Sequence, residues 1–266
     1  MTRNLDARPA DARPSETVLV ELEGLCRRLR LRYIRQQATE VLLTAKAQRW
    51  DPAELLRVLL LAEIEGRDAS STENRRKAAR FPAGKTFESW EPSRSSITAA
   101  TQQALRSLEW VDRHENVVVA GPSGTGKSHL TEALGHAAVN AGLRVVWFSV
   151  EDLGALVRRH RVDDTIAKAF TPILRSELVI VDDIGLLPLS ADAAEGLYRL
   201  VDAAYERRSL AISTNLHPSG FDQLRDRTIA TALVDRLLHH AHVIVTDGDS
   251  VRLADALTGK GVTPLT

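Results

Sequence analysis

Apolar positions along the chain fall into two regimes. From Glu16 to about Ile64 they recur at helical spacing, as in "VLVELEGLCRRLRLRYIRQQATEVLLTAKAQRW", which predicts packed amphipathic helices. The stretch "DPAELLRVLLLAEIEG" adds its own punctuation, with Asp51 as a cap, Pro52 in the first helical position, Glu54 in the third and Gly66 as the stop. From residue 116 onward, short apolar runs alternate with helical stretches, the pattern of a parallel sheet covered by helices. The expected strands are 116–120 ("NVVVA"), 143–150 ("LRVVWFSV"), 178–183 ("LVIVDD"), 209–214 ("SLAIST") and 242–247 ("HVIVTD").

These patterns divide the chain into a polar, Pro-containing tail that reads as disordered (1–15), a helical domain (16–66), a basic helix or linker (67–96) and a large α/β domain (97–266). The single cysteine, Cys26, excludes an intrachain disulfide and a cysteine-based metal cluster. The first residues lack the apolar core of a secretory signal, and no apolar run is long enough to span a bilayer. A cytoplasmic protein is expected. Net charge is zero, but residues 1–94 carry 18 Lys/Arg against 14 Asp/Glu and residues 95–266 carry 17 against 21. The basic front fits a polyanionic partner, and equally ordinary helix-surface charge.

The chemistry begins at "GPSGTGKSH". Gly121, Gly126, Lys127 and Ser128 meet the pattern G-x-x-x-x-G-K-[ST], with a strand before and a helix after. In such a loop the backbone N–H groups of Gly121, Pro122, Ser123, Gly124, Thr125, Gly126 and the residues up to His129 (Pro122 excepted, having none) converge on phosphates. Lys127 reaches the β/γ-phosphates and Ser128 ligates Mg²⁺. "LVIVDDIG" then delivers two acids at the end of a buried strand, Asp182 for Mg²⁺ and Asp183 to polarise the attacking water. A strand lies between loop and acids, as in the additional-strand P-loop ATPases, and no N-K-x-D motif for guanine appears, so ATP is the expected nucleotide. "SLAISTNLH" ends a strand in Asn215, where AAA+ ATPases carry a sensor of the γ-phosphate. Arg236, in "TALVDRLLHHAHVIV", falls where AAA+ proteins present an arginine finger to the neighbouring subunit. Arg225 and Arg227 are the other candidates for that role.

In this order the motifs resemble the IstB-like ATP-binding proteins, AAA+ helpers of bacterial insertion-sequence transposition related to the DnaC helicase loaders. The resemblance runs over about residues 20–255, and "RFPAGKTFE" and "DRLLHHAHVI" are its specific parts. It implies a P-loop AAA+ parallel sheet sandwiched by helices, with a small N-terminal helical domain and no full C-terminal lid. It also implies ATP and Mg²⁺ as cofactors, a homo-oligomer with ATP at subunit interfaces, sequence-independent binding of double-stranded DNA, and a cognate transposase as partner. Two departures stand out. Asp183 occupies a position that is Glu in many AAA+ proteins, which shortens the reach to water. Residues 248–266 are too few for the usual lid, which leaves Arg252 as the nearest stand-in for its arginine.

Three basic clusters offer phosphate contacts: Arg27, Arg28, Arg30, Arg32 and Arg35; Arg75, Arg76 and Lys77 with Arg80; and Arg158, Arg159 and Arg161. The last is expected at the DNA channel, and each also fits solvated helix faces or salt bridges. The loader, with a different partner and a preference for single strands, and a DNA scaffold that binds ATP without hydrolysing it are the alternatives.

Overall fold

The computed structural model describes residues 16–161, 165–185, 189–216 and 227–257. It separates into two compact units, residues 1–73 and 74–266. The tail assigned to residues 1–15 lies outside the described residues.

In the first unit, α1 (Glu16–Arg28), α2 (Arg32–Gln48) and the start of α3 (Pro52–Ala79) enclose a small core of Cys26, Ile34 and Ala38. A buried acid ties it together. One carboxylate oxygen of Glu63 accepts the N–H groups of Tyr33 (2.8 Å) and Ile34 (3.0 Å), two donors that the start of α2 leaves unpaired. The other oxygen accepts from Arg67 at 2.7 Å. Burial pushes the Glu63 carboxyl up, but the Ile34 N–H, the Arg67 guanidinium and the Tyr33 N–H outweigh it, so its pKa is lowered.

Gly66 does not stop α3, which runs on through the expected linker to Ala79. The glycine serves packing. A Cβ at Gly66 would collide with the ring of Tyr33, so α3 keeps its helical backbone there and gives up a side chain. Gly66→Ala is therefore expected to destabilise the helical unit by about 1–3 kcal/mol, since the small helix-propensity gain is overwhelmed by the clash. A fall in the denaturation midpoint would show it, and an unchanged or higher midpoint would mean that Tyr33 moves freely.

The second unit is a five-stranded parallel sheet, β1 (Asn116–Ala120), β2 (Val145–Ser149), β3 (Leu178–Ile184), β4 (Ser209–Thr214) and β5 (Ala241–Val245), in the order β2-β3-β4-β1-β5. Alternate residues feed opposite cores. Val117 and Val119 of β1 and Leu178 and Ile180 of β3 pack on one side, with α6 (Lys127–Asn140) and Trp110. Val118, Val179 and Val181 pack on the other, with α7 (Val150–Arg161), α9 (Ala191–Ala204) and α10 (Arg227–Leu238). Burial on both faces explains why the central strands read as continuous apolar runs. The remaining helices are α4 (Ala99–Arg106), α5 (Glu109–Asp112), α8 (Ile166–Phe170) and α11 (Val251–Leu257). β4 separates β1 from β3, so the loop after β1 and the acids of β3 flank the end of β4. Among the described residues, no helix is long and apolar enough to cross a membrane.

Candidate functional site

Residues 121–126 connect the end of β1 to the start of α6, and Gly126 caps α6 at φ +90°, a conformation other residues adopt at a cost. The unpaired N–H groups and positive end of this 14-residue helix therefore start at the loop. Ser123, Gly124, Thr125, Gly126, Lys127, Ser128 and His129 all line one cavity of about 420 Å³. Pro122 contributes its carbonyl, which accepts from Lys127 Nζ at 2.7 Å, and the Gly121 N–H bonds the Thr214 carbonyl at 3.1 Å. Only 5% of Lys127 is exposed. Burial lowers its pKa, with Asp183 and Asp182 opposing and Arg252 adding to the shift.

The acids sit at an irregularity in β3, where the register with β4 slips between Val181 and Ile184. Asp183 adopts φ +51°, an uncommon backbone for a residue with a side chain. Two contacts hold it and a third holds its neighbour Asp182. The Asp183 N–H donates to Ser213 Oγ at 2.7 Å, the Ser213 hydroxyl donates to Asp182 Oδ1, and Asn215 Nδ2 donates to Asp183 Oδ1 at 2.7 Å. Asp183 and Asn215 both line the cavity of the phosphate loop. Asn215 Oδ1 is buried and lacks a hydrogen-bond partner among the described residues, an acceptor available to a ligand or its water. The structure thus brings the loop, Asp183 and Asn215 to one cavity, with Asp182 next to Asp183 but not part of the lining.

A segment to which the sequence motifs gave no role in nucleotide binding adds to the cavity. Lys85, Ser89, Trp90, Glu91, Arg94 and Ser95 line it beside the loop. Trp90 lies against Gly126, where a Cβ would come within 3.2 Å of the indole, and meets the His129 ring edge-on at 5.1 Å between centroids. Its Nε1 donates to Gln102 Oε1 at 2.9 Å. The signal available was an aromatic beside two basic residues just upstream of the loop. Arg252 also lines the cavity, because the Val251 N–H at the start of α11 bonds the Gly124 carbonyl at 3.1 Å.

Arg236 lies apart from this cavity. It reaches across from α10 to α9, with Nη1 2.6 Å from Asp202 Oδ1 and donating to the Tyr198 hydroxyl at 3.1 Å. Arg225 and the Arg227 side chain lie outside the described residues. Of the third basic cluster, Arg161 pairs with Asp192 (2.8 Å) and Glu195 (2.5 Å), and Arg158 stands 3.5 Å from Asp192, all on α9. Arg159 is exposed and forms no ion pair among the described residues. Arg75, Arg76 and Lys77 fall on the last turns of α3, where Arg76 donates to Asn140 Oδ1 at 3.1 Å.

A phosphate loop on β1, acids on a non-adjacent β3 and a strand between them in the sheet define an AAA+ nucleotide-binding protein. The model of the family described as IstB-like ATP binding protein matches residues 24–258, and the chain belongs to that family. It is 33% identical over 255 residues to a Pseudomonas aeruginosa protein named for insertion sequence IS21 and for ATP binding, covering 92% of this chain and 95% of the other. A Bacteroides fragilis protein with an IS21-like name of the same kind is 30% identical over 240 residues, covering 90% and 91%. Among solved structures, DnaA from Aquifex aeolicus bound to AMPPCP aligns with a TM-score of 0.51 at 21% identity, over 68% of this chain and 56% of that one. DnaI aligns with a TM-score of 0.51 at 15% identity, over 65% and 94%. These last two likenesses concern the fold alone.

Proposed function

We propose that the protein is an ATP-hydrolysing, DNA-binding helper of transposition that oligomerises on double-stranded target DNA and recruits or activates a transposase. The observation that carries the reading is Asp183, fixed by Asn215 and lining one cavity with Lys127 and Ser128. A scaffold that only binds ATP has no use for a strained, oriented carboxylate beside its phosphate site.

The residues divide the work. The N–H groups from Ser123 to His129 and the Lys127 ammonium take the phosphates, the Gly121 N–H being held by the Thr214 carbonyl, and Asp183 holds and polarises the attacking water while Asn215 keeps it aimed. Ser128 and Asp182 offer only hard oxygen donors, a set that fits Mg²⁺, which when bound neutralises charge on the β- and γ-phosphates. Arg236 acts on the ATP of a neighbouring subunit once it leaves Asp202. The pairing seen here is the resting arrangement of that side chain.

DNA contacts come from Arg75, Arg76 and Lys77 and from the Arg158, Arg159 and Arg161 turn, where Arg159 is the member without an ion pair among the described residues. Such contacts are sequence-independent and weaken steeply with salt. The N-terminal unit meets the partner protein. In its support, Leu56, Leu60 and Ile64 recur at spacings of four on α3 and are 58%, 46% and 54% exposed. The work takes place in the cytoplasm.

Light scattering tests the reading, comparing ATP with ADP on double-stranded and single-stranded DNA of equal length. A large ATP-dependent assembly on duplex is expected. Assembly on single strands alone would favour the helicase-loader reading, and no assembly under any condition would overturn the idea that ATP is the switch, holding subunits together until hydrolysis releases them.

A further inference from the structure

Glu132 is a fully buried carboxylate on α6 that the reaction does not use. Its Oε1 accepts two backbone N–H groups, those of Ala83 and Lys85, each at 3.1 Å. Gly84 between them sits at φ +66°, so the two N–H groups turn inward and form a small anion-binding concavity. Little else compensates the acid. Among the described residues, its Oε2 has no hydrogen-bond partner, and neither does the Nε2 of His136, one turn further along α6 and 3.9 Å from Oε1. A buried carboxylate held by so few donors makes each of them strongly favourable to keep.

The chain that leaves this concavity lines the nucleotide cavity with Lys85, Ser89, Trp90, Glu91 and Arg94. It is fastened to α6 a second time at His129, whose Nε2 lies 3.1 Å from the Thr86 carbonyl and 3.2 Å from Ser89 Oγ. Phosphates held by the loop leave the nucleoside to occupy the rest of the cavity, where Trp90 offers an aromatic face.

We infer that Glu132 is a positioning residue: by clamping the Ala83–Lys85 turn to the helix of the phosphate loop, it sets the strap of residues 85–95 that grips the nucleoside part of the ligand. The inference rests on the nucleotide-binding reading above. It predicts a division of labour in which the loop supplies phosphate affinity and the Glu132-held strap supplies the preference for a nucleotide over bare triphosphate.

The experiment measures dissociation constants of the full chain for ATP and for inorganic tripolyphosphate by calorimetry. The unmodified protein should prefer ATP. Glu132→Ala should weaken ATP binding about tenfold and leave tripolyphosphate binding unchanged. Glu132→Gln, which retains an acceptor oxygen, should fall between. Trp90→Ala should reproduce the split without touching the buried acid, which keeps the inference testable if Glu132→Ala does not fold. Equal losses for both ligands, an unchanged ratio in the variants, or no preference for ATP in the unmodified protein would overturn the clamp. Failure of the unmodified protein to bind either ligand would instead overturn the nucleotide-binding reading beneath it.

Discussion

Lys127→Ala is expected to raise the dissociation constant for ATP by about 10- to 150-fold and to abolish assembly on DNA. A charge-assisted hydrogen bond in a desolvated site is worth roughly 1.5–3 kcal/mol, and Lys127 is 5% exposed. Among the described residues, its ammonium has only the Pro122 carbonyl as a hydrogen-bond partner. Its pKa is lowered in the folded chain, mainly by burial, so the folded state holds that proton less tightly than the unfolded state. The charge therefore costs stability below the folded pKa, and that cost disappears as pH rises through it. A bound triphosphate reverses the balance. Removing the ammonium should thus not lower the melting temperature of the ligand-free protein, while eliminating the rise that ATP produces. A fluorescent ATP analogue and a thermal scan would read both effects. A variant that still assembles on DNA in ATP would show that the loop is not the switch.

Asp183→Asn should separate binding from turnover. Asparagine keeps an Oδ1 to accept from Asn215 and tolerates positive φ better than most residues, so the irregular backbone at φ +51° should survive. What disappears is the basic carboxylate. General-base catalysis contributes about 10²- to 10⁴-fold, so phosphate release should fall by at least about 100-fold with ATP affinity within a few-fold of the original. Assemblies formed in ATP should then persist instead of dispersing. Unchanged turnover would remove Asp183 from water activation and reopen the scaffold alternative.

The sheet was legible in the sequence because burial on both faces leaves few ways to write a central strand. The runs at 116–120 and 209–214 coincide with β1 and β4, and "LVIVDD" is short of β3 only by Ile184. The loop and the acids were legible because phosphate chemistry restricts both residue type and spacing. Long-range pairing was not. The partners of Arg158 and Arg161 lie on α9, more than 30 residues away, and nothing local distinguishes those arginines from ones facing a polyanion. The strap was missed for a similar reason, since its place is set by Glu132 and His129 on a later helix. At Gly66, a local rule that favours a helix stop yielded to the ring of Tyr33.

Ser213 has a consequence for how this site can change over generations. One hydroxyl donates to Asp182 and accepts from the backbone of Asp183, so a single codon on β4 holds both acids in register. Lengthening the second acid to glutamate leaves that pin intact, which makes hydrolytic reach adjustable by drift at position 183 alone. Position 213 has less freedom, because losing the hydroxyl unpins the Asp182 carboxylate and the Asp183 N–H together. Variation in the speed of the switch should therefore accumulate at 183, with 213 remaining still.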